Sequence, residues 1–325
     1  MWICVWRRLH CAALLACLSY GHMAYATEVV ISHERSGDLI WMNQQGQAQE
    51  RQALCNRPRG LALHTDLGRL YVACSDDDKV LELDISSRSV IRQFEGLEGA
   101  MSLAVFPDQN RLLVSNEGAA KATVVDLSNG AVLALLATGF EPDGVAVSKS
   151  TGQLFVASET NGLVHVFDAD SYQQVAVIRT HLRPRRLALD EARDELWISS
   201  EMGSRVEIFS LQSLTKIDEI VFAPRGFRPE QMTPVDILLP RGTPDAYVAL
   251  GSANNIAIID RVTREIKDYV LVGRRAWGLG YSATHELLFV LNGLSDDMTI
   301  IDLSTNRPTR TVRIGLVPHA VAVIE

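Results

Sequence analysis

Cysteine is scarce in this chain. Of five cysteines, Cys4, Cys11 and Cys17 fall within the segment Met1 to Ala26, so the rest keeps only Cys55 and Cys74. No C-x-x-C-H occurs, which excludes covalently attached c-type haem. The sequence has no Gly-rich phosphate loop after a strand, no G-x-S-x-G elbow and no H-E-x-x-H, so it offers no strong positive sign of catalysis. No apolar run reaches the roughly 18 residues a membrane-spanning helix needs. Beyond Ala26 sustained helical periodicity is also missing, which argues against an all-α fold. Basic charge is in deficit. The Met1 to Ala26 segment holds two of the 31 Lys and Arg and no acid, so the remainder carries 29 − 39 = −10. That balance argues against bulk nucleic-acid binding, although not against a local basic patch.

What is present fits a folded protein: 47% apolar and 22% charged residues in 325. The length allows two ordinary domains or one large β domain. The N-terminal segment stands apart. Arg7 and Arg8 precede the apolar "LHCAALLACLS", and "AYA" at Ala24 to Ala26 is a small-x-small cleavage site. This is the anatomy of a secretory signal peptide, 1–26, which predicts a mature chain 27–325 starting near Thr27. The alternative reads "LLAC" as a lipoprotein box, with Cys17 acylated and the protein tethered to a membrane.

The mature chain repeats. Seven stretches align, among them "LYVACSDDDKVLELD", "LFVASETNGLVHVFD", "AYVALGSANNIAIID" and "LFVLNGLSDDMTIID". Each is a β-rich run, a polar turn and a second β-rich run. The first ends at Asn43, and from the second on the ends fall at Asp84, Asp126, Asp168, Ser210, Asp260 and Asp302. From Asp84 onward the step between ends is constant except once, between Ser210 and Asp260, where it is longer by eight. A shorter strand precedes each stretch from the second on ("PRGLAL", "PDGVAV", "AWGLGY"), and a fourth strand follows. Four short strands per repeat of roughly 40–45 residues is the signature of a propeller blade. The stretch near Val29 lacks its preceding strand, and the terminal "PHAVAV" has nothing after it. Together they make one blade. The prediction is an all-β, seven-bladed β-propeller of four-stranded blades, closed by pairing the C-terminal strand with N-terminal strands. Val321, Val323 and Ile324 would then pack between blades as buried aliphatics.

The "YVxx…VxxxD" pattern resembles the YVTN-type propeller repeat. Seven such repeats behind a secretion signal resemble, more narrowly, the propellers associated with pyrroloquinoline quinone (PQQ)-dependent catabolism. That resemblance implies a periplasmic accessory protein of quinoprotein alcohol oxidation, without established catalysis. Its implied partners are a quinoprotein dehydrogenase, a cytochrome c or transport components. No intrinsic cofactor is implied, although PQQ could be a ligand.

In a propeller the turns between second and third strands share a face with the connections between blades, around the mouth of the central channel. The candidate residues are those on that face. The connections carry Arg57 and Arg59, Arg183, Arg185 and Arg186, Arg225 and Arg228, and Arg274 and Arg275. Arginine forks suit carboxylates, and PQQ carries three of them. Arg59, Arg185, Arg275, Arg225 and Arg228 are the candidate ligand-binding cations, with Trp277 as a stacking platform and His319 beside them. Arg225 and Arg228 sit in "FAPRGFRPEQM", the insertion behind the one long step. The competing reading is salt bridges to Glu98, Glu141 and Asp143. At the turns one repeat position reads Glu34, Ser75, Glu117, Glu159, Glu201, Gly251 and Gly293. This is either an acidic ring with oxygen ligands or a set of solvated carboxylates. Simple hairpin register places Arg59 across from Cys74, and His319 across from His33. His33, His319 and Glu34 then form a minimal candidate metal site. The same register puts Cys55 near Cys74, close enough to weigh a disulfide.

Two function classes follow. One is a non-catalytic binding propeller using the Arg-rich face for an anionic ligand or partner protein, with a pure interaction scaffold as its weaker form. The other is a metal-assisted lactonase-like hydrolase at the channel mouth, drawing ligands from Glu34, Glu117, Asn116, Glu159, Glu201 and Asn292. Those groups are expected on wet turn tips, too far apart for one tight site.

Overall fold

The computed structural model describes residues 27–106 and 110–325. The expectations of a signal peptide over 1–26 and of an acylated Cys17 fall outside the described residues. The described residues form 28 strands, β1 to β28 in chain order, in seven four-stranded antiparallel sheets. Within each sheet the second and third strands are apolar on both faces, as in "RLYVAC" (Arg69–Cys74), and are buried almost throughout. The fourth strand, such as "VIRQFE" (Val90–Glu95), is exposed on its outer side. The gradient follows from the architecture. Inner strands lie between two neighbouring blades, whereas the last strand forms the rim.

The closing blade contains β28 (Pro318–Ile324), β1 (Glu28–His33), β2 (Asp38–Asn43) and β3 (Ala48–Ala53), in that order. Glu28 pairs with Ile324, Val30 with Ala322 and Ile31 with Val321. Both chain ends therefore share one ladder, and the closing blade has the same four strands as the others. The core is a series of layers between blades. Val29, Ile31, Ile40 and Met42 meet Phe289, Leu291 and Ile300 across one boundary, and Leu39 and Trp41 meet Leu70 and Val72 across the next. Val321 and Val323 pack against the first of these layers and Ile324 against the second, each partly rather than fully buried.

One detail overturns the simple hairpin register. Pro58 pairs with Cys74, and the next pair is Leu61 with Val72. The inner strand advances three residues while its partner advances two, which is a β-bulge. The same slip occurs after Ala100, Pro142, Pro184 and Ala276, and between Ile31 and His33. Pro318, not His319, faces His33, and Pro58, not Arg59, faces Cys74. The residue before each of these bulged strands is left-handed: Arg57, Gly99, Glu141, Arg183, Arg275 and Val317 all have φ between 51° and 60°. Each of their carbonyls accepts the N–H of a residue at the neighbouring turn, such as Ser75 on Arg57 and Glu201 on Arg183. Turn and bulge together aim the second residue of each of these six inner strands into the channel.

The inner strands approach closely just beyond the bulge. A Cβ on Gly144 would sit 1.9 Å from the Arg185 carbonyl oxygen, so glycine is required there. The insertion leaves its blade an inner strand of only Ile237–Leu238. Its Phe222 is buried in the core, while Arg225 and Arg228 remain exposed.

Candidate functional site

The second residues of six inner strands, with Val235 at the same repeat position just before the short Ile237–Leu238, form a ring at the channel mouth: Arg59, Met101, Asp143, Arg185, Val235, Trp277 and His319. They close it. Six of them, with Arg186, bound a void of about 10 Å³, the room of roughly one water molecule. Four ring members, Arg59, Arg185, Trp277 and His319, are among the residues singled out from the sequence.

Two arginines organise the ring. Arg59 bridges Glu34 at 3.1 Å and Glu117 at 2.9 Å, and also donates to the Met101 sulfur. Arg185 is nine-tenths buried and contacts Asp143 at 2.9 Å, Glu159 at 2.9 Å and Glu201 at 3.1 Å. Arg183 adds a second cation to Glu159 and Glu201, and Arg275 reaches Glu201 at 3.5 Å. The Arg185 and Arg275 guanidinium groups lie 4.8 and 4.6 Å from the Trp277 ring centre. Trp277 is thus a cation–π platform for the protein's own arginines. Arg186 and Asp236 form a further pair at 2.7 Å, and Asp236 also accepts the Leu279 N–H.

The carboxylates are not solvated turn tips. Glu159 and Glu201 are only 4% and 5% exposed. Burial, then the neighbouring Asp143 charge, pushes the Glu159 carboxyl well above the carboxylate range. Burial opposes ionisation of Asp143 too, but Arg185 and a hydrogen bond from Glu159 override it and hold Asp143 low. The pair therefore favours its negative charge on Asp143 over Glu159. His319 is 6% exposed with neither ring nitrogen hydrogen-bonded, and burial followed by the Arg59 charge pushes it down to about 3. It is a neutral imidazole, 6.0 Å from the Trp277 ring.

The metal trio of His33, His319 and Glu34 is not assembled. The bulge moves His319 out of register with His33, whose Nδ1 lies 2.8 Å from Asp38, and Glu34 turns to Arg57 and Arg59. The oxygen set fares likewise. Asn116 is tied to Glu98 and Thr123, and Asn292 to Asp297 and Thr299. Among the described residues one group of three potential ligands converges, His181, Glu207 and Glu219, and Lys216 already contacts both carboxylates at 3.2 and 2.5 Å. Arg225 and Arg228 lie within the insertion rather than in the ring, and Arg225 lines a surface depression of about 420 Å³ with Phe227, Lys267 and Tyr269. Cys55 and Cys74 are bonded. The Arg186–Asp236 pair was missed from sequence. Its signal was available, because the other five repeats read Gly60, Ser102, Gly144, Gly278 and Ala320 there. Opposite charges in adjacent repeats at a position otherwise small imply a contact.

No protein-family model and no curated protein matches the chain. Solved structures do. The periplasmic gluconolactonase of Pseudomonas aeruginosa superposes with a TM-score of 0.78 at 15% identity, covering 93% of this chain and 99% of that one. A protein of unknown function from Desulfotomaculum acetoxidans gives 0.78 at 11% identity, covering 92% and 99%. A candidate 6-phosphogluconolactonase from Bacteroides fragilis gives 0.76 at 14%, covering 94% and 99%. At such identities the likeness establishes the fold: the chain is a propeller of the architecture shared with these lactonases.

Proposed function

We propose that this chain is a non-catalytic, periplasmic β-propeller that serves PQQ-dependent alcohol oxidation as a binding protein, engaging an anionic ligand or partner protein through its mouth face. The observation that carries this reading is the sealed mouth. The ring arginines are neutralised by the ring's own carboxylates, and a void of about 10 Å³ leaves no chamber for a substrate. Around the seal the same face presents half-exposed Arg57, Arg183 and Arg275 together with exposed Phe140, Leu182, Met202, Leu294 and Leu316. Exposed apolar tips mixed with arginine are the composition of a docking surface. The partners proposed are a quinoprotein dehydrogenase, a cytochrome c or transport components, with PQQ as the small anionic ligand. Calorimetric titration with PQQ and with the cognate dehydrogenase tests this. Micromolar binding that weakens in Arg183→Ala supports it, and no heat with either at high micromolar concentration overturns it.

A lactonase reading has its own support in the gluconolactonase neighbours and in Glu159. That raised carboxyl borders a surface depression of about 320 Å³ with Arg183, Thr160, Leu182 and Met202. In this reading water adds to the lactone carbonyl and releases a proton to solvent, Arg183 stabilises the oxyanion, and Glu159 protonates the departing ring oxygen and then takes a proton back from solvent. Hydrolysis of glucono-δ-lactone above the spontaneous rate, lost in Glu159→Gln, would favour it over the binding reading.

A further inference from the structure

We infer that the channel end opposite the sealed mouth is a separate binding site, for a small amphiphile with an apolar body and one anionic group.

The two ends of the channel differ in chemistry. At the mouth the ring is packed shut around the ion pairs of Arg59, Asp143 and Arg185. Four residues further along each strand the same repeat position reads Val105, Val147, Leu189 and Leu239 in four consecutive blades. The other three blades place Leu63, Tyr281 and Val323 there. All seven are apolar or aromatic, and all seven are only partly buried. The first four line a cavity of about 970 Å³. A partly enclosed apolar wall of that size is the usual form of a small-molecule site, because an entering apolar body removes the wall from water.

The rim selects the sign of the ligand's polar group. Arg261 is committed to Asp190 and to the carbonyls of Pro240 and Thr243. Glu191 is committed as an acceptor to the Ser148 hydroxyl and to the N–H groups of Lys149 and Ser150. Arg241 is exposed and has no partner among the described residues. Asp66, the remaining acid on the rim among the described residues, belongs to the turn after Pro58–His64, three blades from Arg241. An anion held at Arg241 would lay its apolar body against Leu239 of the same blade and against Leu189 and Val147 of the next two. Neither residue set is shared with the mouth, so this site stands or falls separately from docking there.

The probe that tests this is 1-anilinonaphthalene-8-sulfonate, titrated into the mature chain and followed by fluorescence. Saturable binding of one probe per chain is expected. Filling the wall with Val147→Trp should weaken it by roughly tenfold or more, because the body loses its room. Arg241→Ala, an exposed change that leaves the core alone, should weaken it roughly two- to fivefold, the range of a single exposed ion pair, and Arg241→Glu should weaken it further. Arg179→Ala on the outer rim should change nothing. A probe that does not saturate, or that binds both Arg241 variants as tightly as the parent, overturns the proposal.

Discussion

His319 shows what a single side chain can be made to do by its neighbours. It lies in the ring without a hydrogen-bond partner and next to Arg59, and both facts disfavour its proton. Its folded pKa lies below the unfolded value, so the stability that depends on it is present above about 6.5 and is lost as pH falls towards 3. The loss should approach about 1.4 kcal/mol per pH unit below that point. His319→Leu should flatten this acid limb, as read from denaturation free energies at pH 7, 6 and 5. Glu159 works in the opposite sense. Its folded pKa is raised, so its contribution is full at low pH and lost as pH rises above the ordinary carboxylate range, through neutrality. Glu159→Gln should remove that alkaline loss and leave the acid limb in place. If both variants track the parent across pH, the ring does not bury these groups as described.

The recurring element is the left-handed residue followed by a bulge. It brought the ring together, and it also explains why a register counted from hairpins failed. An unbulged strand would alternate faces regularly and set His319 opposite His33, whereas the extra residue shifts the pairing by one and frees the second residue from the ladder. Nothing in "PRGLAL" announces that extra residue, because the bulge arises where the strand end must turn to meet the channel. The Cys55–Cys74 bond staples the first of these connections to its blade, across a sequence separation of 19. On the loop-entropy model it contributes roughly 3 kcal/mol. Replacing both cysteines by serine should therefore lower the melting temperature, while the circular dichroism of the folded state stays unchanged. An unchanged melting temperature would show that the connection is held by the bulge and its hydrogen bonds alone.

For the whole molecule the closing ladder matters most. β28 supplies the inner strand of a blade whose other three strands begin the propeller, and Glu325 accepts the Ser282 hydroxyl and the Thr284 N–H from the preceding blade. Deleting residues 318–325 removes a strand from one blade and the contacts of Val321, Val323 and Ile324 with two interblade layers. Those side chains are partly buried, so their apolar contribution lies below the roughly 1.5–3 kcal/mol of a fully buried aliphatic. The lost ladder and the opened boundary add to it. The truncated protein should unfold as a unit at a clearly lower temperature, seen by calorimetry as one shifted transition. A second, low-temperature transition beside an unshifted main one would mean that the last blade frays independently.

The amino-acid sequence alone determined the repeat, the blade count and the closure by both ends. These depend on the order of short strands and turns along the chain, which periodicity records directly. It also marked Arg59, Arg185, Trp277 and His319, because their repeat position recurs. Only the tertiary structure decided what those residues meet. Whether an arginine faces a ligand or Glu159, and whether a glutamate is wet or buried, depends on distances between blades that are far apart in sequence. The contrast between a charged, closed end and an apolar, open end of the channel is likewise a property of seven strands side by side. No single repeat contains it.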